Sequence, residues 1–302
     1  MPENNTPAPF VPQLTTRDWN EEWRLLQKTR RNADDAAYWN ARSRTFATKD
    51  APNPYVERFL ELADVRPGET VFDMGCGTGA LAVPLGERGH RVTAADFSQG
   101  MLDRLRENLD ERRVSTVTPK LMSWDDDWAA CGVAPRSADV ALASRSIATA
   151  DLRDALLRLS KVARRRCCIT LAAGASPRTD ERMLREIGLR TEVGRDYLYA
   201  FNILANEGLR PEISYIDSER TDTFASHEEA RATFEDMARR AAGADAPASE
   251  LQAALARLPE WMEANLVENE RAGEPDKKGV PQGPWRLRKP RTTSWAFIAW
   301  DA

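Results

Sequence analysis

The chain has 302 residues, with 43 Lys and Arg against 47 Asp and Glu and a formal net charge of −4. Its 42% hydrophobic content is that of a globular protein with a sizeable core. No apolar run approaches a membrane span, and the slight acidity gives no global pull toward nucleic acid or anionic lipid.

Residues 1–16 mix Pro, Asn and Thr and read as a disordered tail, without the basic start and apolar stretch of a secretory signal. Residues 17–47 read as two helices. Trp19, Trp23 and Leu26 recur at helical spacing in the first. Asp34 or Asp35 caps the second, which carries Tyr38, Arg42 and Phe46 on one stripe. Asn53-Pro54 then starts a helix with Val56, Phe59, Leu60 and Ala63 inward, and Arg66-Pro67-Gly68 turns the chain.

The next stretch, Val71-Phe72-Asp73-Met74-Gly75-Cys76-Gly77-Thr78-Gly79, reads as the tail of a buried strand, a glycine turn and a helix beginning there, with Leu81 and Leu85 on its inner side. That order brings backbone N–H groups up to a ligand. Gly75-x-Gly77-x-x-Ala80 also fits a dinucleotide pattern. Asp73 argues against it, because a carboxylate at the strand mouth repels a pyrophosphate and attracts an ammonium or sulfonium group. Asp96 ends a second strand, Arg91 to Ala95, one helix-length further on. A carboxylate there can accept both hydroxyls of a ribose. An adenosine with a positively charged tail satisfies both acids.

With these residues the sequence resembles the class I S-adenosylmethionine-dependent methyltransferases. The runs Gly86 to Ser98 and Ser98-Gln99-Gly100-Met101-Leu102 resemble their small-molecule, ubiquinone/menaquinone-methyltransferase-like branches, and the likeness covers roughly residues 54–172. It implies an α/β fold with a Rossmann-like, doubly wound sheet of seven strands, the seventh antiparallel. It implies S-adenosylmethionine as cofactor, held by Asp73, Gly75, Cys76, Gly77, Gly79, Asp96, Phe97, Met101 and Ser144. The family places an acid against the adenine amino group near Ser123 to Trp128. Asp125 and Trp124 compete for that slot, and Trp124 can instead stack on the adenine. N-terminal helices of this family lie over the cofactor, so 17–53 reads as a lid, or else as cover for a sheet edge.

Met101 to Leu109 reads as a helix, and the third strand lies within Val114 to Met122. Ala138 to Ala143 is a fourth strand, ending at Ser144-Arg145-Ser146. Asp151 caps a helix that Arg164-Arg165-Arg166 closes, complementing its dipole. Cys167 to Ala172 is the fifth strand, with Cys167 and Cys168 on opposite faces. With Cys76 and Cys131 they show no metal-ligand spacing, and only His90 and His227 are available, so no metal is expected. The thiols are expected reduced, in a cytoplasmic protein.

Tyr197 to Glu207 reads as a helix; Tyr197, Tyr199, Asn202 and Arg195 are substrate-side candidates, although Tyr197, Phe201 and Leu204 also have core spacing. Glu212 to Asp217 is strand six. A capping box, Ser226-x-x-Glu229, opens a helical insertion over 226–284, which makes His227 a first-turn residue. Its second stripe is broken or kinked at Pro259. Residues 285–302 return to the core, with Thr293 to Trp300 as the last strand. The core thus spans 54–225 plus 285–302. The run Arg286, Arg288, Lys289, Arg291 reads as an exposed loop.

Methyl transfer from a sulfonium is an in-line displacement that needs alignment and exclusion of water. The Asn/Asp-Pro-Pro-Tyr/Phe motif of amino-methylating nucleic-acid and protein enzymes is missing; Ser144-Arg145-Ser146-Ile147 stands in its place. A small-molecule acceptor is therefore expected, O- or C-methylated and anionic or phenolic, with no nucleic-acid or membrane partner and the oligomeric state open. Arg145 either holds that anion, helped by Arg42, Arg178 and Arg195, or pairs with Asp151. A base, where needed, is Tyr38, Tyr197, Tyr199 or an acid; otherwise the acceptor arrives ionised. The competing readings are a non-catalytic S-adenosylmethionine-binding sensor or partner protein and a nicotinamide-dependent oxidoreductase, the latter disfavoured by Asp73.

Overall fold

The computed structural model describes residues 18–29, 36–43, 53–147, 149–174, 179–189, 194–242, 247–276 and 280–302. The expectations for residues 1–16, Asp34, Asp35, Phe46 and Arg178 lie outside them.

Two helices come first, α1 (Trp19–Thr29) and α2 (Ala36–Ser43), followed by α3 (Pro54–Ala63). Asn53 caps α3 by accepting the Tyr55 N–H, and Pro54 stands where its missing N–H costs nothing. The alternating core follows: β1 (Val71–Met74), α4 (Ala82–Glu87), β2 (Val92–Asp96), α5 (Gln99–Glu111), β3 (Val117–Leu121), β4 (Ala138–Ser144), α6 (Leu152–Val162) and β5 (Ala163–Ala172). Then come α7 (Glu181–Glu186), α8 (Asp196–Asn206), β6 (Glu212–Arg220), β7 (Thr223–Phe224), α9 (His227–Ala242), α10 (Ala248–Asn265), β8 (Leu266–Glu268), β9 (Trp285–Leu287) and β10 (Arg291–Asp301).

Seven strands form one sheet in the order β3-β2-β1-β4-β5-β10-β6, with β10 antiparallel to β5 and β6. The order reverses between β1 and β4, which opens a crevice at the carboxyl ends of the strands there. Strands buried on both faces need no polar–apolar alternation, and β1 and β4 have almost none. Pro119 lies in β3, an edge strand, where the lost ladder bond is tolerated. One face carries α1, α6 and α8 over Phe72, Cys167 and Trp300; the other carries α3, α4 and α5 over Val71, Cys168 and Phe297. The paired cysteines do therefore face opposite ways.

The structure departs from the sequence reading at several points. Arg164-Arg165-Arg166 does not close a helix; it opens β5, because acids lie within reach of the extended chain. Arg164 binds Asp139, Arg165 binds Glu69, and Arg166 approaches Glu212. The helix after the glycine turn starts only at Ala82, so turn residues rather than a helix end face the crevice. The boundary at 285 also moves. Trp285–Leu287 pairs with β7 and β8 in a small separate sheet, and only Arg291 onward joins the main one.

That small sheet, α7, α9 and α10 share a third core built on Phe234, Leu258 and Met183. Ser226 Oγ accepts the Glu229 N–H, the Glu229 carboxylate reaches back one residue further to the Ala225 N–H, and α10 runs through Pro259 as one helix. His227 lies edge-on to Trp285 at 4.1 Å, an exposed packing contact. Arg291, expected in an exposed loop, is 5% exposed and ion-paired with Asp222, and its Nη1 donates to the Thr179 carbonyl at 2.9 Å. It joins the small module to the sheet. Among the described residues no helix is long and apolar enough to cross a membrane.

Candidate functional site

At the switch point lies a cavity of about 590 Å³, walled by the ends of β1, β2 and β4, the glycine turn, α2 and α3. Asp73 lines it, 1% exposed, and its Oδ2 has no hydrogen-bond partner among the described residues. Burial, with the nearby Asp96 charge second, pushes its pKa up to about 7. A buried carboxyl oxygen without a donor, at a cavity wall, fits a cationic group.

The turn above it is closed by backbone bonds. Gly75 and Cys76 donate their N–H groups to the Ala95 carbonyl at 2.7 and 2.9 Å. Gly75 has φ of +74°, and a Cβ on it would sit 2.2 Å from the Ser146 Cβ. Ser146 is fixed there because its Oγ donates to the Met74 carbonyl at 2.6 Å and its own carbonyl accepts from Trp124 Nε1 at 2.9 Å. Only glycine lets β4 approach the turn this closely. Gly79 lies off the cavity wall. Its missing Cβ makes room for Leu105 and Val83, so its role is packing.

Asp96 is 5% exposed, with its pKa raised by burial. Oδ2 accepts from Gly77 N at 2.8 Å and Oδ1 from Ser98 N at 2.9 Å. Each oxygen keeps a further lone pair for a ligand hydroxyl. Phe97, Met101, Trp124 and Asp125 also line the cavity. Trp124 and Asp125 both reach the wall, but the indole N–H of Trp124 is committed to Ser146. These residues fit an adenosine carrying a positive tail, with Asp96 for the ribose and Asp73 for the cationic end.

Helix α2 covers one side through Ala36 and Trp39. It is held by Asn40, whose Oδ1 accepts from Ser98 Oγ at 2.8 Å and Gly100 N at 2.9 Å. A Cβ on Gly100 would lie 2.7 Å from Ser43 Oγ and 3.2 Å from the Asn40 backbone. Gly100→Ala is therefore expected to push α2 off α5. Overpacking of this size costs roughly 1–2 kcal/mol, so adenosyl-ligand affinity should fall by roughly five- to thirtyfold in a calorimetric titration. Unchanged affinity would show that α2 does not cover the ligand.

At the other end stand Ser144, Arg145, Ser146, Ile147 and Tyr55. Tyr55 is 4% exposed, and its hydroxyl is 2.7 Å from both Ser144 Oγ and Thr170 Oγ1. Burial pushes its phenol pKa up, which makes it a hydrogen-bonding group rather than a base. Sequence reasoning missed Tyr55, although it stands four residues before Phe59, on the same inward stripe. Nothing in the sequence signalled the Ser146–Gly75 contact or the part played by Trp39.

Most of the expected substrate residues lie elsewhere. Tyr199 packs edge-on against Trp19 and Trp23 at 6.0 and 5.8 Å, joining α8 to α1. Tyr197 packs against Tyr215 of β6, and Asn202 Nδ2 donates to Leu198 in its own helix. All three serve the α8 packing, where their helical spacing puts them. Tyr38, Arg42 and Arg195 are not on the cavity wall. Arg145 is, and it does not pair with Asp151, which instead binds Arg24 and Asn20.

Residues 71–166 match a family model described as a methyltransferase domain. An uncharacterised protein of Haemophilus influenzae is 35% identical over 169 residues, 56% of this chain and 61% of that protein. A malonyl-[acyl-carrier protein] O-methyltransferase of Serratia marcescens is 49% identical over 51 residues, 17% of this chain and 20% of that one. The chain therefore spans about three fifths and one fifth of these two relatives. Among solved structures, geranyl diphosphate C-methyltransferase from Streptomyces coelicolor A3(2) aligns over 97% of this chain and 99% of that one, at 13% identity and a TM-score of 0.45.

Proposed function

We propose that this chain, whose residues 71–166 match a family model described as a methyltransferase domain, is a class I S-adenosylmethionine-dependent methyltransferase that methylates a small-molecule acceptor, anionic or phenolic, on oxygen or carbon. The observation that carries the reading is the pairing of two buried acids around one glycine turn. Asp73 has an oxygen without a donor among the described residues, and Asp96 is braced by the Gly77 and Ser98 N–H groups. Bound S-adenosylmethionine supplies an electrophilic methyl group on a sulfonium that leaves as a neutral thioether. The chain's own residues align and enclose. Asp96 holds the ribose hydroxyls, Asp73 faces the cationic end, and Trp39 with α2 keeps water out. No protein proton is needed for the leaving group.

The acceptor enters beside Arg145. Support for a negatively charged acceptor comes from that guanidinium, which has no carboxylate in ion-pair contact among the described residues. A carboxylate or phenolate meets its fork in a way that lysine's single ammonium cannot reproduce. Arg145→Lys should keep cofactor affinity and lose roughly ten- to a hundredfold in kcat/KM, the size of a charge-assisted hydrogen bond of about 1.5–3 kcal/mol. Full activity of that variant on the native acceptor would refute the role.

The decisive experiment follows transfer of isotope-labelled methyl from S-adenosylmethionine into a metabolite extract, ribosomal RNA and total protein side by side. Label in a small anionic or phenolic product supports the reading. Label confined to RNA or protein, or to neutral and cationic products, rejects it. Binding without transfer to any pool favours a sensor.

A further inference from the structure

We infer that Tyr55 is a positioning residue that sets the acceptor end of the cavity for a planar aryl anion, by fixing where the Arg145 guanidinium stands. This rests on the methyl-transfer reading above. Arg145 is not glycine, yet its φ is +55°. Side chains keep such backbone only where the surroundings over-determine it. Here Thr170 Oγ1 accepts the Arg145 N–H at 3.0 Å, and the guanidinium carbon lies 4.2 Å from the Tyr55 ring centroid and 5.7 Å from that of Trp295.

Tyr55 is itself fixed. Its hydroxyl bridges Ser144 Oγ and Thr170 Oγ1, so one threonine hydroxyl serves both the Arg145 backbone and the Tyr55 phenol. Three elements, α3, β4 and β5, are tied at that point. The neighbouring arginines of β5 are spent on Asp139 and Glu69, whereas Arg145 is stacked on aromatic faces. Stacking leaves the guanidinium's in-plane donors available. Trp39, on the same cavity wall, offers a flat face to a ring. An aryl carboxylate or phenolate satisfies both features together: its ring meets the aromatic wall and its oxygen meets the fork.

The test uses benzoate as the probe, with neutral benzamide as control, titrated onto the full chain saturated with S-adenosylhomocysteine. The Arg145 Nε–Hε resonance, shifted by the Tyr55 ring, is followed in parallel. Benzoate should bind more tightly than benzamide and move that resonance. Tyr55→Phe keeps the ring and removes the hydroxyl. It should weaken benzoate by roughly tenfold, more than any change for S-adenosylhomocysteine, and shift the Arg145 resonance.

Thr170→Val changes a residue off the cavity wall. It should weaken benzoate similarly while S-adenosylhomocysteine binds as before, because the Thr170 hydroxyl meets the Arg145 N–H and the Tyr55 phenol. Benzamide binding as well as benzoate, or both variants keeping native benzoate affinity and Arg145 resonance, overturns the inference. If the native chain fails to bind S-adenosylhomocysteine, the methyl-transfer reading itself falls. If it binds that ligand but not benzoate, only the present inference falls.

Discussion

Replacing Asp73 with Asn should remove a pH dependence that the native chain shows in both stability and ligand affinity, with opposite signs. Burial and the Asp96 charge hold the Asp73 pKa at about 7 in the folded protein, against about 3.9 when unfolded. Between those values the folded carboxyl keeps a proton that the unfolded one has lost. Stability of the free protein therefore falls as pH rises from about 4 through 7, by a total on the order of 4 kcal/mol. Asp96, also raised by burial, adds to the same slope. The lowered acids act elsewhere. The Arg164 guanidinium and the Thr70 N–H hold Asp139 below the usual carboxylate range, so its contribution is present above pH 4 and is lost only as pH falls further.

Affinity for a cationic ligand runs the other way, because it needs Asp73 ionised. S-adenosylmethionine should bind more tightly as pH rises to about 7 and then level off. Asp73→Asn should stabilise the free protein at pH 8 by a few kcal/mol, flatten the melting-temperature profile between pH 5 and 8, and weaken S-adenosylmethionine by roughly tenfold or more. Melting curves across that range, with and without the ligand, check all three. A native profile already flat without ligand would show that Asp73 titrates normally.

Asp96→Ala should be the most damaging single change for binding. Two charge-assisted hydrogen bonds to ribose hydroxyls are worth on the order of 2–4 kcal/mol together, a loss of roughly thirty- to a thousandfold in affinity. The same carboxylate braces the Gly77 and Ser98 N–H groups at 2.8 and 2.9 Å, so the free protein should also melt lower. The two effects separate, because the melting shift is read without ligand and the affinity by titration of the folded variant. A folded Asp96→Ala protein that binds S-adenosylmethionine like the native chain would remove Asp96 from the ribose site.

What the sequence determined by itself was local or one-dimensional. The apolar runs at Val71, Val92, Ala138 and Cys167 marked parallel strands, since a strand covered on both faces has no polar face to disguise it. Asp73, the glycines and Asp96 were legible because a turn that tight, with an acid at each strand mouth, restricts residue type at fixed spacing. The last strand was legible as a final apolar run, and its antiparallel direction followed from the family resemblance. What only the tertiary structure decided was which side chains from distant segments share a wall. Tyr197, Tyr199 and Asn202 have the chemistry of a substrate site, yet the packing of α8 on α1 and β6 takes them away from it.

Arg164, Arg165 and Arg166 suit a helix end as well as a strand start, and partners 25 to 104 residues away settled the choice. Asp151 was a reasonable partner for Arg145 by proximity along the chain, but Asn20 and Arg24 reached it first, across more than a hundred residues. Tyr55 and Ser146 acquire meaning only when α3, β1 and β4 are side by side. One periodicity or spacing constrains one element at a time. A binding wall is made where elements cross, and the crossing is fixed by how the two faces of the sheet are covered.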